Sequence, residues 1–169
     1  MRRLFRTPLL ALALAALAGV HSLPARAQPR IAVIVARKAH HPLSRDALRD
    51  IYLKKIYLDH TGHPYIPVNL PPDDPLRTAF SGDLFRLSNR QLQDYWNRRY
   101  FQGISPPYVL GSQQAVLQFV AKTPGAIGYV SACHLDHRVR ALLFLPVPEA
   151  QRAAVASDCD RPRHAPSVR

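Results

Sequence analysis

The sequence predicts an α/β protein, one mixed sheet flanked by helices, and three observations carry that prediction. Short runs of β-branched and other apolar residues alternate along the chain with segments whose apolar residues recur at helical spacing. Side chains able to cap a helix stand in front of most of those segments. Once an N-terminal export signal is set aside, 142 of the 169 residues remain, enough for one well-buried core and too few for two.

Residues 1–27 read as that signal. Arg2, Arg3 and Arg6 come first without any acidic residue, an apolar stretch covers 9–20, and Ala25, Arg26 and Ala27 close the segment. This is the charged, apolar and small-residue order of a secretory leader. Twelve apolar residues make a helix of about 18 Å, short of a hydrocarbon core of about 30 Å. The expected product is therefore periplasmic, cleaved after Ala27 and without a membrane span in its mature part.

The first apolar run, 31–36, is rich in Ile and Val and suits a strand covered on both faces. After Pro42, Ser44 is the N-cap of a helix whose inward stripe is Leu48, Ile51 and Tyr52. Strands are expected over 56–58 and 65–70, around a turn at 60–63 where Gly62 takes positive φ. Asp74 then caps a helix that Pro75 opens. Ser88 and Gln91 form a capping box for the next one, with Leu92, Tyr95, Trp96 and Tyr100 on its inner face. A loop over 103–107 leads to a helix capped by Ser112, with Val116, Phe119 and Val120 inward, and Gly125 ends it. Strands are expected over 126–130 and 141–145. The folded domain is thus placed at 28–146, and 147–169 is expected to be a C-terminal tail, disordered from 160 onward.

Cys133 and Cys159 are the only cysteines. An even count in an oxidising compartment predicts a disulfide between them, fastening the tail to the domain. Removing four arginines with the leader leaves 19 basic against 11 acidic side chains, a net charge of +8. Such a protein is drawn to anionic surfaces. The basic residues are scattered, with no basic helix and no aromatic–basic stacking motif, so nucleic acid is not an expected partner.

Several segments together resemble the phosphate-binding proteins of ABC transporters. Residues 43–54 read Leu-Ser-x-x-x-Leu-x-x-Ile-Tyr-Leu-Lys, similar to a family segment that ends in Ile-Phe-x-Gly-Lys. Tyr95 and Trp96, Phe101 with Gly103, Pro106 and Pro107, and the run Pro124-Gly-Ala-Ile-Gly-Tyr-Val130 resemble the family's small single-lobe members. The resemblance covers about 31–130 and implies one three-layer lobe of the type II periplasmic binding protein-like fold. It also implies phosphate or another oxyanion as ligand. Full-length members close two lobes around the anion, and this chain corresponds to the second lobe. A single lobe leaves a bound anion partly hydrated and weakly held.

In the full-length relatives that lobe offers the anion an Arg and a Ser-Gly-Thr at a helix start. Aligned through Phe80, the Ser-Gly-Thr falls on Asp74, Pro75 and Leu76, and the Arg on Leu70. Proline removes a backbone donor, and Asp73 and Asp74 place negative charge where phosphate would sit. Arg77 and Thr78, in the first turn, are the remaining anion candidates there, with Ser44 and Ser112 at two other helix starts. On the bland reading Arg77 pairs with Asp73 or Asp74.

No metal or cofactor is expected, since His60, His63, His134 and His137 fall in turns and Cys133 is taken by the disulfide. No Gly-x-Ser-x-Gly, His-Glu-x-x-His or phosphate-cradling loop occurs, so an enzyme is not expected. Two functions stay in view: a low-affinity oxyanion binder or uptake accessory, and a module that binds a periplasmic or membrane protein or a second copy of itself.

Overall fold

The computed structural model describes residues 28–39 and 42–160. The leader expected over 1–27 and the chain end over 161–169 lie outside the described residues.

Five strands form one mixed sheet in the order β3-β2-β4-β1-β5. β1 (Arg30–Ala36) is the apolar run, and Ile31, Ala32, Val33 and Ile34 are wholly buried in it. It lies between β4 (Ala126–Ser131) and β5 (Val139–Pro146) and is antiparallel to both, with a register shift against β5 after Val33. β2 (Ile66–Asn69) pairs parallel with β4 on one side and with the two-residue β3 (Tyr108–Val109) on the other. Pairing with β3 begins only at Val68, so Pro67 sits where β2 has one neighbour and its missing N–H is tolerated.

Helices cover both faces, and two consecutive residues of β4 show which. Gly128 faces α4 (Gln113–Lys122): an added Cβ would stand 2.5 Å from Val116 and 3.0 Å from Val120. Tyr129 points the opposite way, as successive strand residues must. Its ring stacks at 3.8 Å on Phe80 of α2 (Pro75–Phe85), which in turn meets Tyr52 of α1 (Arg45–Tyr52) edge-on at 4.8 Å. The expected three layers are therefore present. Burial of these aromatic rings and of the β1 aliphatics supplies the core.

Local signals were largely obeyed. The Ser44, Asp74, Ser88 and Ser112 side chains each accept a bond from the first turn of the helix they precede, and Ser88 with Gln91 completes the capping box. Gly62 takes φ +84°. Gly125 does not cap α4 as expected, since that helix ends at Lys122 with Thr123 as C-cap, but it takes φ +76° in the turn before β4, where a Cβ would meet the Pro64 carbonyl oxygen at 2.1 Å.

Three expectations need correction. Residues 56–58 form no strand: Leu58 and Pro64 make a lone antiparallel bridge, Pro64 has no N–H to extend it, and Tyr57 and Leu58 stay exposed. On α3 (Asn89–Tyr100), Leu92, Tyr95 and Trp96 pack partly against the core, but Tyr100 is 69% exposed. This helix is held largely by polar contacts, since Tyr95 Oη donates to Leu53 O at 2.6 Å and Arg99 Nη2 to Lys54 O at 2.8 Å, serving carbonyls at the end of α1. In α4 the fully buried positions are Val116, Leu117 and Val120, while Phe119 is only half-buried. In the segment placed in the tail, ahead of the disorder expected from 160, Val147 is buried and α5 (Glu149–Cys159) follows, packing on α2. Short polar composition hid α5, because Val155 is its only buried residue.

Candidate functional site

β2, β3 and β4 run parallel, so their carboxyl ends share one edge of the sheet. The chain leaves β2 there to start α2, and leaves β3 there to start α4. Two helix N-termini thus converge beside the ends of parallel strands, the usual ligand crevice of an open α/β sheet. Unpaired N–H groups and the helix dipole favour an anion at such a place.

Buried polar residues tie this edge together. Tyr129 Oη donates to Asn69 Oδ1 at 3.0 Å and accepts from Leu70 N at 3.3 Å. Burial pushes the Tyr129 phenol far up, so it keeps its proton and acts as donor. Arg77 Nη1 donates to Leu70 O at 2.7 Å, so its guanidinium serves the loop backbone and not the carboxylates expected to pair with it. Thr78 Oγ1 donates back to Asp74 O at 3.4 Å.

At the α2 end, Asp74 Oδ1 accepts from Leu76 N at 2.8 Å, taking the first-turn donor an anion would use. Burial raises the Asp74 carboxyl above its ordinary range, and the charges of Asp158 and Asp73 add to that against the bonds from Leu76 and Arg77 backbone. At the α4 end, Ser112 Oγ accepts from Ala115 N at 3.1 Å. Gln113, the first helical residue, gives its Nε2 to Asp158 Oδ2 at 2.6 Å, while its Oε1 accepts from Ser131 N at 2.6 Å. His134 Nδ1 lies 3.8 Å from the same Asp158 oxygen. Asp158 belongs to the last turn of α5, and its neighbour Cys159 is bonded to Cys133. The Ser131 hydroxyl lies 3.2 Å from each sulfur.

The structure thus brings Arg77, Thr78 and Ser112 to one edge. Ser44 is elsewhere. It caps α1 at the opposite edge, where Arg45 Nη2 reaches Asp83 Oδ2 at 2.6 Å near the far end of α2. Sequence reasoning missed Gln113 and Asp158. The acidic residue one position before Cys159 was the available signal, since the disulfide fixes where that carboxylate goes. Among the described residues no group of three His, Cys, Asp or Glu side chains is placed to hold a metal ion, and no helix is long and apolar enough to cross a membrane.

No protein-family profile matches this chain, and neither does any curated protein. Solved structures do. An ABC-type phosphate transport receptor from Vibrio cholerae superposes with a TM-score of 0.55 at 18% identity over 68% of this chain and 46% of the receptor. A protein assigned as a phosphate ABC transporter substrate-binding protein, from Clostridium perfringens and with phosphate bound, gives 0.57 at 17% identity over 79% of this chain and 62% of its own. PstS from Borrelia burgdorferi gives 0.50 at 13% identity over 63% and 42%. This chain spans about half the length of these proteins. In fold, it is an α/β unit similar to part of each of these three structures.

Proposed function

We propose that this protein is an exported solute-binding-protein-like module that serves oxyanion uptake or sensing by contacting another protein, and does not itself enclose the anion. One observation carries this reading: carboxylates of the chain already stand at both helix starts of the crevice, Asp74 accepting from Leu76 N of α2 and Asp158 from the Gln113 side chain of α4. A free phosphate approaching that edge meets negative charge and donors already in use. The chain also exposes large apolar side chains at both ends of the loop between α3 and β3, with Phe101 at 89% and Tyr108 at 69%. Side chains of this kind are enriched where proteins meet.

Export to the periplasm rests on the leader motif in 1–27 and on the fold shared with transport receptors. A second reading, weak oxyanion binding, is favoured by the phosphate held in the Clostridium perfringens protein. Thermal unfolding separates the two. A ligand at a hundred times its Kd adds about 2.7 kcal/mol. We expect the oxidised protein to keep its Tm in millimolar phosphate or sulfate. A saturable rise would transfer the assignment to the second reading.

A further inference from the structure

Two separate stretches of the chain repeat one pattern, a basic pair followed by apolar side chains: Lys54-Lys55-Ile56-Tyr57-Leu58 and Arg98-Arg99-Tyr100-Phe101. Neither contains an acidic residue. The fold brings them to one corner of the molecule, because Arg99 Nη2 donates to Lys54 O at 2.8 Å and Tyr95 Oη to the adjoining Leu53 O at 2.6 Å. Among the described residues eight large apolar side chains are exposed. Five of them, Ile56, Tyr57, Leu58, Tyr100 and Phe101, stand on these two stretches, so the exposure is concentrated and not scattered. Phe101 reaches furthest into solvent, with the Tyr100 ring edge-on to it at 6.2 Å. Of the acids close by in sequence, Asp50 is drawn to Lys55 at 3.3 Å, Asp59 Oδ1 accepts from the Thr61 and His63 amides, and Asp94 lies one turn before Arg98. The corner is therefore both apolar and basic.

We propose that this corner rests on an anionic lipid surface, with Tyr57, Tyr100 and Phe101 entering the headgroup region and Lys55 and Arg98 meeting lipid phosphates. Charge selects this occupant. A second copy of the chain docked here would set four cations against four, whereas an anionic surface attracts all of them. Shape selects it too. The apolar side chains project from a turn and from a helix end, while the open groove of about 640 Å³ lies elsewhere, lined by Cys133 and by residues of α5. Projecting rings flanked by long basic side chains suit a soft interface, which takes up the rings and the aliphatic stems and leaves the charged heads among the phosphates. The proposal adds to the module described above the surface on which it works. It takes only export from that reading, and it leaves Tyr108 and Val109 on β3 to a protein partner.

Vesicle binding tests it without reference to any oxyanion, so this proposal and the function above can fail separately. The protein from Gln28 onward, which holds every strand and helix of the fold, would be sedimented with vesicles of phosphatidylcholine alone and of equal parts phosphatidylcholine and phosphatidylglycerol. Wild type is expected to sediment with the anionic vesicles only, and to be released as salt rises. Each basic residue near an anionic surface contributes about fivefold, so Lys55→Gln/Arg98→Gln should bind at least about tenfold more weakly. Tyr100→Ser/Phe101→Ser should also lose at least about tenfold, with Tm unchanged because both rings are exposed. Arg30→Gln/Arg140→Gln removes the same charge on β1 and β5 and should lose less than about threefold. No binding to the anionic vesicles overturns the proposal and leaves the corner to an acidic protein. Equal losses in the two charge variants overturn it as well, since the attraction would then be diffuse. So does self-association in sedimentation velocity that Tyr100→Ser/Phe101→Ser abolishes, which assigns the corner to a second copy.

Discussion

Asp74 does two jobs with opposite energetic signs. Its oxygen caps α2, which stabilises, while its charge sits half-buried near Asp73 and Asp158, which does not. Because its folded pKa is raised, the folded state binds the proton more tightly than the unfolded one. Stability is lost as pH climbs from the ordinary carboxylate value through the raised one. Asparagine caps as well without the charge. We therefore expect Asp74→Asn to raise Tm at pH 7, and Asp74→Ala to fall below Asp74→Asn by about 1 kcal/mol in denaturant unfolding. Asp59 shows the reverse shift. The Thr61 hydroxyl, 2.6 Å away, leads in holding its pKa at about 2, and the His63 and Thr61 amides add to it. A depressed pKa means the turn is supported above the ordinary value near 3.8 and loses that support only as pH falls toward 2. In an NMR titration the Thr61 and His63 amide shifts should move with a midpoint near 2, and a midpoint near 4 would contradict the bonding. The caps were legible in sequence because each acts within four residues. The partner of Arg77 was not, since Leu70 and the folded loop between them decide it.

Elements were legible where one face or both faces are apolar, and obscure where polar contacts hold them. β1 and β4 declare themselves by composition, as does α1 by its stripe of Leu48, Ile51 and Tyr52. Two-residue β3 has no such signal, and it exists because β2 offers it an unpaired edge. α3 looked like a core helix from its aromatic spacing, but Tyr95 and Arg99 use their polar tips on the end of α1 and leave Tyr100 outside. The α4–β4 contact is open to a direct test at Gly128. At Gly128 the neighbours are Val116, Val120 and Val68, whose branched side chains have little rotamer freedom to yield. Gly128→Ala should cost about 1–3 kcal/mol in urea unfolding. An unchanged midpoint would show that α4 can slide away from the sheet.

Over the whole molecule, the disulfide and the sheet topology set the terms of stability. The bond closes a loop across 26 positions, and replacing both cysteines with serine should cost about 3–4 kcal/mol in the chain-entropy account. Non-reducing gels and guanidinium unfolding of the double variant would check it, and a loss below 1 kcal/mol would contradict that account. The one-lobe architecture was readable from the order of motifs. The state of its crevice was only half readable: sequence showed the acid and proline at α2, while the carboxylate brought by α5 comes from 45 positions beyond Gln113 and appears only when the fold closes.

The place of β1 has a consequence for how such a protein is made. Ile31 pairs with Ser131, 100 positions later, and with Leu145 beyond it. A chain that emerges N-terminus first exposes its greasiest strand long before either flanking partner arrives, and closing so large a loop is slow. Until Ser131 and Leu145 have emerged, β1 has no partner on either side and its apolar residues stay uncovered.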